Sequence, residues 1–362
     1  MNKVLISGYY GFSNAGDEAM LTAILTSLRR QDPDVELTVI SGHPDVTERI
    51  HQVRSVHRFN LWKIFRAMAG TDLLLSGGGS LLQNVTSHIS LFYYLSIIAL
   101  AALMHKKIML FAQGIGPIRG TFSRFLTRSV CRQADLITVR DDGSLEDLCA
   151  MGFAKSDILV TSDAVFSLPP GRKEAGRIEL ESLGMDRNRP VVGFALRHWK
   201  GEERFVAEFA RAADLLKKES HCQILFIPLQ FPGDEEVSCS VRDRMTDASD
   251  VYFLDHKLST QAYQDLISSL DMLIGMRLHA LVFAALNDVP FMAVSYDPKV
   301  DRFVAGMKGR VVNRIDRVTA EEIAALARTL RCSDGKQERA RIEALRSEAQ
   351  ANIARAVALL KH

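Results

Sequence analysis

The sequence predicts an α/β protein made of two Rossmann-like domains, each with a doubly wound parallel sheet. Short apolar runs alternate with longer helical stretches along the chain, a pattern typical of βαβ units. Several of these runs end in a glycine or a basic residue immediately before a helix. The length of 362 residues exceeds what one such domain needs and suits two of roughly 150 to 180 residues each.

The first half of the chain contains five clear strand candidates and a weaker sixth. They are "KVLISG", "VELTVISG", "DLLLSGGG", "KIMLFAQG", "DLITVR" and "ILVTSD". Between the first two, "GDEAMLTAILTSLRRQ" places Ala19, Ile24 and Leu28 on one apolar side, as expected of an amphipathic helix. The uncharged run over residues 89–104 predicts a helix buried beside the sheet, because it is shorter than the ~20 residues that span a membrane. Insertion into a membrane surface is the alternative.

The second half resumes the alternation after a proline-rich, charged segment, "SLPPGRKEAGRIELESLGMDRNRP", which is typical of a linker. The strand candidates that follow are "PVVGFALR", "CQILFIPLQ", "VYFLD", "DMLIGM" and "PFMAVSYD". We therefore expect a first domain over residues 1–170, a linker over 171–189 and a second domain over 190–335. A long, charged amphipathic helix is expected over 336–362.

The cysteines and the N-terminus indicate a reducing compartment. Five cysteines are an odd number, and none forms a CxxC pair, so they favour neither a disulfide framework nor a zinc site. They are Cys131, Cys149, Cys222, Cys239 and Cys332. The start "MNKVLISGYYGF" lacks the basic opening and long apolar core of a signal peptide. We expect a cytoplasmic protein.

Basic residues are concentrated in one part of a chain whose formal net charge is only +2. Between Arg54 and Ala134 the only acidic residue is Asp72. The ten basic residues are Arg54, Arg58, Lys63, Arg66, Lys106, Lys107, Arg119, Arg124, Arg128 and Arg132. Basic amphipathic helices beside an uncharged one are typical of a surface that binds an anionic membrane, and ordinary solvated helix faces are the alternative. Nucleic acid is not expected, because no recognised binding motif accompanies the charge.

Glycines follow several predicted strands at the edge where a ligand would bind. Gly77, Gly78 and Gly79 end one strand, and Gln113 precedes the glycines of "GIGP" after the next. In a doubly wound sheet such turns gather at the carboxyl edge, where helix N-termini present free N–H groups to an anion. The "GGG" run does not fit GxGxxG, so we reject nicotinamide binding.

The segment "NAGDEA" opens the first predicted helix with Asn14, Gly16, Asp17 and Glu18. One interpretation is helix capping, because acids are favoured in a first turn. The other is that a carboxylate holds or deprotonates sugar hydroxyls. Both roles can coexist.

The turn "GMRLHA" carries the most specific pair, Arg277 and His279, at the end of an apolar strand. An imidazole with a pKa near 6.5 is suited to general acid–base chemistry, although a histidine opening an apolar helix is often only a core residue. Arg140 ends an earlier strand, where it can clamp a phosphate or carboxylate or else pair with Asp141 or Asp142.

Three further polar residues end strands of the second domain. Lys299 follows "PFMAVSYD" and is either a ligand to an anion or a solvated loop lysine. Arg197 and His198 follow "PVVGFALR" and are candidate substrate-binding residues. The acids of "PLQFPGDEE" are expected only to cap a helix.

Taken together, the ordered motifs resemble those of the polysaccharide pyruvyl transferase family. The resemblance runs from "GYYGFSNAGDEAML" through "LLLSGGGSLLQN", "AQGIGP", "VRDDGSLEDL" and "SDAVF" to "GMRLHALVFAA". Among its members, the chain is most similar to bacterial enzymes that act on secondary cell wall polymers, which anchor S-layers. The resemblance implies two Rossmann-like domains in the glycosyltransferase-B arrangement.

The resemblance also implies a reaction. Phosphoenolpyruvate is the donor and co-substrate, no further cofactor or metal is expected, and the product is a 4,6-linked pyruvate ketal. The implied acceptor is a β-N-acetylmannosamine residue on a lipid diphosphate-linked disaccharide at the inner face of the cell membrane. Matched by position, the implied catalytic residues are Arg140, Arg277, His279 and Lys299.

Two other functions remain open from the sequence. A glycosyltransferase of the same fold would use a nucleotide-sugar and commonly place a glutamate in an "EALxxGVP"-like stretch, where this chain has Phe283 in "FAALNDVP". That departure disfavours the usual donor pocket. A non-catalytic membrane scaffold would account for the basic segment but not for the polar residues at the strand ends.

Overall fold

The computed structural model describes residues 2–85, 87–307, 310–330 and 336–361 and divides into two compact units. The first unit comprises Met1–Leu168 with Ala344–His362, and the second comprises Pro169–Glu343. Cys332 lies outside the described residues. Each unit is an α/β sandwich around one parallel sheet, which confirms the fold class expected from the sequence.

Within its described residues, the first unit contains a seven-stranded parallel sheet of order β3-β2-β1-β4-β5-β6-β7. The strands are β1 (Lys3–Tyr10), β2 (Glu36–Ser41), β3 (Arg54–His57), β4 (Leu73–Gly77), β5 (Lys107–Gln113), β6 (Leu136–Val139) and β7 (Ile158–Val160). The helices are α1 (Ala15–Gln31), α2 (Pro44–His51), α3 (Leu61–Ala69), α4 (His88–Leu103), α5 (Thr121–Cys131) and α6 (Asp142–Cys149). The strand order reverses between β1 and β4, which is where ligands bind in open α/β sheets.

Helix α4 packs against the sheet as the sequence predicts. It buries Leu91, Tyr94, Leu95, Ile97, Ile98 and Ala101 in the core that the central strands share. Fully burying each large apolar side chain contributes about 1.5–3 kcal/mol, so this helix is a main source of the unit's stability. No helix within the described ranges is both long enough and apolar enough to cross a membrane.

The second unit repeats the architecture with six parallel strands in the order β10-β9-β8-β11-β12-β13. The strands are β8 (Val191–Ala195), β9 (Gln223–Phe226), β10 (Val251–Phe253), β11 (Met272–Gly275), β12 (Phe291–Ser295) and β13 (Arg310–Arg314). The helices are α7 (Lys173–Ser182), α8 (Glu202–Ser220), α9 (Gly233–Arg242), α10 (Thr260–Ser268), α11 (Leu278–Leu286), α12 (Pro298–Met307) and α13 (Ala320–Leu330). Here the order reverses between β8 and β11.

Two strands were not predicted from the sequence because they lie at sheet edges. β3 and β13 have the sequences "RSVH" and "RVVNR", and β3 has no fully buried side chain. An edge strand needs no continuous apolar run, because only one side of its backbone is paired and its faces are less covered. The apolar periodicity that identifies central strands is therefore missing.

Two chain segments differ from the domain division expected from the sequence. The segment expected to be a linker, residues 171–189, contains α7, which buries Gly176 and Leu180 within the second unit. Helix α14 (Lys336–Leu360) forms as expected, but from Ala344 onward it belongs to the first unit. There the Ser162 hydroxyl donates to the Leu345 carbonyl at 2.5 Å.

Candidate active-site residues

The N-terminus of α1 is held by hydrogen bonds that involve three of the candidate residues. The Asn14 side chain accepts from the Gly16 N–H at 3.0 Å and so caps the helix. One Glu18 oxygen accepts from the Gly11 N–H at 2.9 Å, and the other lies 2.7 Å from Nε2 of the buried His51. The capping interpretation therefore describes Asn14, and Glu18 anchors the turn after β1.

Asp17 differs from its neighbours because it lies against the glycine run. A Cβ atom built on Gly79 would be 3.3 Å from Asp17 Oδ1, and both Gly78 and Gly79 have positive φ angles that favour glycine. The Tyr10 hydroxyl donates to the Gly77 carbonyl at 2.9 Å. Burial raises the pKa of Tyr10 well above its ordinary value, and Asp17 adds to that shift. The turn after β4 thus presents backbone rather than side chains beside a carboxylate.

Gln113 supports the same turn from β5. Its side chain is fully buried, and its amide donates to the Gly79 carbonyl at 3.3 Å. The Gly114 N–H donates to that carbonyl at 3.0 Å. Gln113 therefore fixes the glycine backbone.

Arg140 follows β6 and lies close to both of the acids that surround it. Its Nη2 donates to Ser80 Oγ at 2.9 Å, and its Nη1 is 3.5 Å from Asp163 Oδ2. The ion pair with Asp141, expected as one alternative, is present at 3.5 Å. Only 7 % of the Arg140 side chain is exposed. Because each Nη carries two N–H groups, these contacts orient the guanidinium without using all of its donors.

In the second unit Arg277 reaches from the end of β11 past β8 to the loop that follows β9. Its Nε donates to Asp234 Oδ2 at 2.8 Å, its Nη2 contacts the other Asp234 oxygen, and Nη2 donates to Gln230 Oε1 at 3.1 Å. Asp234 is 1 % exposed and also accepts from the Leu229 and Gln230 N–H groups. Asp234 was expected only to cap a helix, and this prediction was wrong because its carboxylate is the buried partner of Arg277.

The geometry of the pair leaves one side of the Arg277 guanidinium available. Asp234 occupies the Nε and Nη2 edge, and among the described residues none accepts a hydrogen bond from Nη1. The side chain is 12 % exposed. His279 lies two residues further, in the first turn of α11, partly buried and with a buried Nε2 atom. A cation with one edge fixed can bind an anion with little reorganisation.

Arg197 and Lys299 both lie close to Tyr296. Arg197 Nη1 donates to the Tyr296 hydroxyl at 2.9 Å, and its guanidinium carbon is 4.7 Å from the centre of that ring. Lys299 Nζ is 5.7 Å from the same ring centre and 3.8 Å from Asp297. Trp199 packs on Tyr296 with ring centres 4.8 Å apart. The loop after β8 and the first turn of α12 thus bring two candidate cations to one tyrosine.

His198 is held between two glutamates. Its Nδ1 contacts Glu202, and its Nε2 is 3.1 Å from Glu236 Oε2. The hydrogen bond to Glu202 raises the pKa of His198, with Glu236 adding to the effect. His198 therefore carries positive charge over a wider pH range than a free imidazole. Across the described part of the chain, no group of His, Cys, Asp and Glu side chains is arranged to hold a metal ion.

Sequence reasoning missed the residues that orient the candidate cations. Each of these residues contacts a predicted site residue: Gln230, Ser80, Asp163 and Tyr296 lie in loops after strands, and Asp234 lies in the first turn of α9. Asp163 lies in "SDAVF" and Asp234 in "PGDEE". The available signal was an acid directly after a predicted strand, but such an acid is more commonly a helix cap.

The first unit also carries an exposed apolar surface at the start of three of its helices. Helices α3, α4 and α5 begin at the carboxyl edge of the sheet, and their first turns and the loop before α3 leave large side chains in solvent. The members of this aromatic surface are Phe59, Leu61, Trp62, Phe65, Ile89, Phe122 and Phe125, each 44 % exposed or more. In α5 the buried residues are instead Ser123, Thr127 and Cys131. Exposing phenylalanine while burying hydroxyl groups is typical of an interaction surface rather than of a solvated helix.

The arginines of α5 make contacts within the first unit. Arg124 donates to the Ala150 carbonyl at 2.6 Å, and Arg132 donates to the Gly152 carbonyl at 3.1 Å. Arg128 is partly buried with its Nε enclosed. Arg124 and Arg132 therefore bring positive charge to the free carbonyls at the end of α6 while they remain exposed. Lys63, Arg66 and Arg119 remain exposed near the aromatic surface.

The model of one protein family covers most of the chain. The family is described as polysaccharide pyruvyl transferase, and its model matches residues 14–298, which include every candidate residue except Lys299. The chain belongs to the polysaccharide pyruvyl transferase family. Membership supports a transferase. The search of curated proteins found no match to the sequence.

Solved structures share the fold at low sequence identity. The UDP-GlcNAc 2-epimerase of Neisseria meningitidis matches with a TM-score of 0.65 and 13% identity over 100% of both chains. The UDP-GlcNAc 2-epimerase of Methanocaldococcus jannaschii matches with a TM-score of 0.69 and 10% identity over 99% of both chains. HepE of Anabaena, in complex with UDP and glucose, gives 0.61 and 14% over 100% of this chain and 98% of that one. These likenesses establish the glycosyltransferase-B fold class alone.

Proposed function

We propose that this polysaccharide pyruvyl transferase moves pyruvate from phosphoenolpyruvate onto a β-N-acetylmannosamine residue of a lipid diphosphate-linked cell wall precursor, forming a 4,6-ketal. The observation that carries the proposal is the arrangement of Arg277. Asp234 orients its guanidinium and leaves Nη1 available, and His279 lies in the same turn as Arg277. Arg197 and Lys299 add positive charge at the same sheet edge. Family membership supplies the reaction class.

The chemistry requires an anion site with a proton acceptor. Phosphoenolpyruvate carries a phosphate and a carboxylate, and planar guanidinium groups bind both through paired N–H groups. One sugar hydroxyl attacks C2 while C3 gains a proton, the second hydroxyl adds to C2, and the C2–O bond to phosphate breaks. The two hydroxyl protons balance the proton gained by C3 and the one gained by phosphate. We assign His279 as the base that accepts the first hydroxyl proton.

The acceptor's lipid accounts for the aromatic surface. Tryptophan and phenylalanine with nearby lysine and arginine are the side chains that enter a bilayer interface and its anionic headgroups. Trp62 and Phe65 stack with ring centres 6.1 Å apart on α3, next to the exposed Lys63. We propose that this surface holds the protein peripherally on the inner face of the cell membrane, beside its lipid-linked substrate.

The alternative is a nucleotide-sugar glycosyltransferase of the same fold. HepE, which shares the fold, was solved with UDP and glucose. In this chain Phe283, at the position of the usual ribose-binding glutamate, is fully buried in α11. A buried phenylalanine cannot accept hydrogen bonds from a ribose, so this comparison favours the pyruvyl transferase.

Phosphate release separates the two functions. The purified protein is incubated with a synthetic lipid diphosphate-linked disaccharide and phosphoenolpyruvate, and inorganic phosphate and the acidic ketal are quantified. His279→Ala is expected to lower turnover by about 10²–10⁴-fold while phosphoenolpyruvate still binds in a calorimetric titration. UDP release from a UDP-sugar, with phosphoenolpyruvate inert, would overturn the proposal. Near-normal turnover of His279→Ala would remove that residue from the mechanism.

Membrane binding is tested apart from turnover. Trp62→Ser with Phe65→Ser is expected to abolish flotation with vesicles rich in phosphatidylglycerol. Leu103→Ser is the matched control, because Leu103 is 78 % exposed at the opposite end of α4. Equal flotation of the wild-type protein and the double variant would discard the membrane role and leave the reaction unaffected.

A further inference from the structure

Arg58 occupies an unusual environment at the carboxyl end of β3. Its guanidinium carbon lies 5.2 Å from the centre of the Phe12 ring, 4.8 Å from that of Phe59 and 4.7 Å from that of Tyr93. The backbone N–H of Arg58 donates to the Ser41 carbonyl at 2.9 Å, and the backbone carbonyl of Arg58 accepts from the Tyr93 hydroxyl at 3.2 Å. The backbone of Arg58 is therefore fixed through both its N–H and its carbonyl.

Arg58 is a cation without a matching anion in the described structure. The residue is partly buried, and its Nε is enclosed without a hydrogen-bond partner among the described residues. None of the ion pairs seen in the described ranges involves it, whereas Arg140 and Arg277 each have a carboxylate. Aromatic faces offset part of the cost of removing a guanidinium from water, but they accept no strong hydrogen bond from its N–H groups. The environment is suited to an external anion.

The position of Arg58 narrows the identity of that anion. Phe12 lies in the loop after β1, next to Asn14 and the turn that precedes α1. Phe59 follows Arg58 directly in the chain and belongs to the aromatic surface. Arg58 therefore links the ligand edge of the first sheet to the surface that we assign to the membrane. On the proposed function, an acceptor whose sugar binds at this sheet edge and whose lipid binds at the aromatic surface brings its diphosphate to Arg58.

We infer that Arg58 binds the diphosphate of the lipid-linked acceptor. This inference rests on the proposed function and adds the residue that recognises the acceptor's anionic linkage. A guanidinium that lies close to three aromatic rings can present paired N–H groups to phosphate oxygens.

The test compares two water-soluble acceptors that carry the same disaccharide. One bears a short-chain prenyl diphosphate and the other an uncharged alkyl glycoside. Arg58→Met, which keeps an apolar stem between the rings, is expected to raise KM for the diphosphate acceptor by roughly 10- to 100-fold. KM for the glycoside and both kcat values should stay within about twofold of the wild-type values. Arg54→Met is the matched control, because Arg54 is an exposed arginine at the opposite end of β3.

A binding measurement makes the inference independent of turnover. Calorimetric titration of the wild-type protein with a short-chain prenyl diphosphate should show binding that inorganic pyrophosphate competes for and that Arg58→Met loses. Arg58→Lys keeps the positive charge but not the planar fork of N–H groups, so it should retain part of the diphosphate binding. It replaces Arg58→Met as the test variant if Arg58→Met does not fold. Failure of pyruvyl transfer with intact diphosphate binding would reject the proposed function alone.

Two results would overturn the inference itself. Equal loss of activity toward both acceptors would mean that Arg58 only packs the aromatic rings. Unchanged diphosphate titration, together with lost flotation of Arg58→Met on acceptor-free phosphatidylglycerol vesicles, would assign Arg58 to phospholipid headgroups instead.

Discussion

Asp234 and Arg277 form a buried ion pair that joins the first turn of α9 to the turn after β11. The Arg277 Nε donates to Asp234 Oδ2 at 2.8 Å, and only 1 % of the Asp234 side chain is exposed. The same carboxylate accepts from two backbone N–H groups, so it is fixed before Arg277 meets it. Asp234 therefore acts as a positioning residue for the cation that we assign to the donor.

We predict that Asp234→Asn lowers both stability and donor use. The amide keeps the shape but removes the charge, and disrupting a buried pair costs about 3–5 kcal/mol in free energy of unfolding. Urea denaturation and kcat/KM for phosphoenolpyruvate are measured, with Glu235→Gln in the same helical turn as control. In a double-mutant cycle with Arg277→Gln, the two changes should be coupled by about 0.5–3 kcal/mol. Full additivity would show that the pair does not act as a unit.

Gly114→Ala is predicted to disturb Arg140. A Cβ atom at this position would lie 2.7 Å from Ser80 Oγ and 3.0 Å from Arg140 Nη2, so the guanidinium must move. We expect kcat/KM to fall by about 10- to 100-fold, as small misplacements of binding groups can do. Gly70→Ala is the control, because its nearest contact would be an ordinary 3.9 Å. Wild-type activity with an unchanged Tm would argue against any role of Arg140 in the reaction.

Glu18→Ala is predicted to act on stability. The buried Gly11 N–H and the His51 ring would both lose their partner, at a cost of about 1–3 kcal/mol. Chemical denaturation measures the change, and Asp45→Ala, an exposed acid in the first turn of α2, should stay within about 0.5 kcal/mol of wild type. If Glu18→Ala instead kept its stability and lost acceptor binding, the carboxylate would act on substrate.

The titration of His198 is predicted to depend on Glu202. Hydrogen bonding to Glu202 raises the pKa of His198, so the folded state binds the proton more tightly than the unfolded state does. The resulting stabilisation is complete below about pH 6.5, the ordinary imidazole pKa, and is lost as pH rises through the raised value. Glu202→Gln should move the NMR titration midpoint of the His198 ring to lower pH. Glu203→Gln, one residue further and 90 % exposed, should leave it in place.

Most of the central strands and the turns that follow them could be predicted from the sequence. Central parallel strands are buried on both faces, so they appear as continuous apolar runs such as "KIMLFAQG" and "DMLIGM". The next residues then lie at the carboxyl edge by topology alone, which identified Arg140, Arg277 and His279 as candidates. The edge strands β3 and β13 and helix α7 could not be predicted in this way, because their exposed sides need no apolar residues.

The sequence by itself determined the fold class, the family and the strand ends at which the candidate residues lie, because local hydrophobic periodicity and ordered motifs carry that information. Only the tertiary structure decided what each candidate side chain contacts. Arg277 meets Asp234 across 43 positions of sequence, and Arg58 meets Tyr93 across 35. Such pairings arise when parallel strands bring distant loops to one edge, so no local pattern in the chain records them.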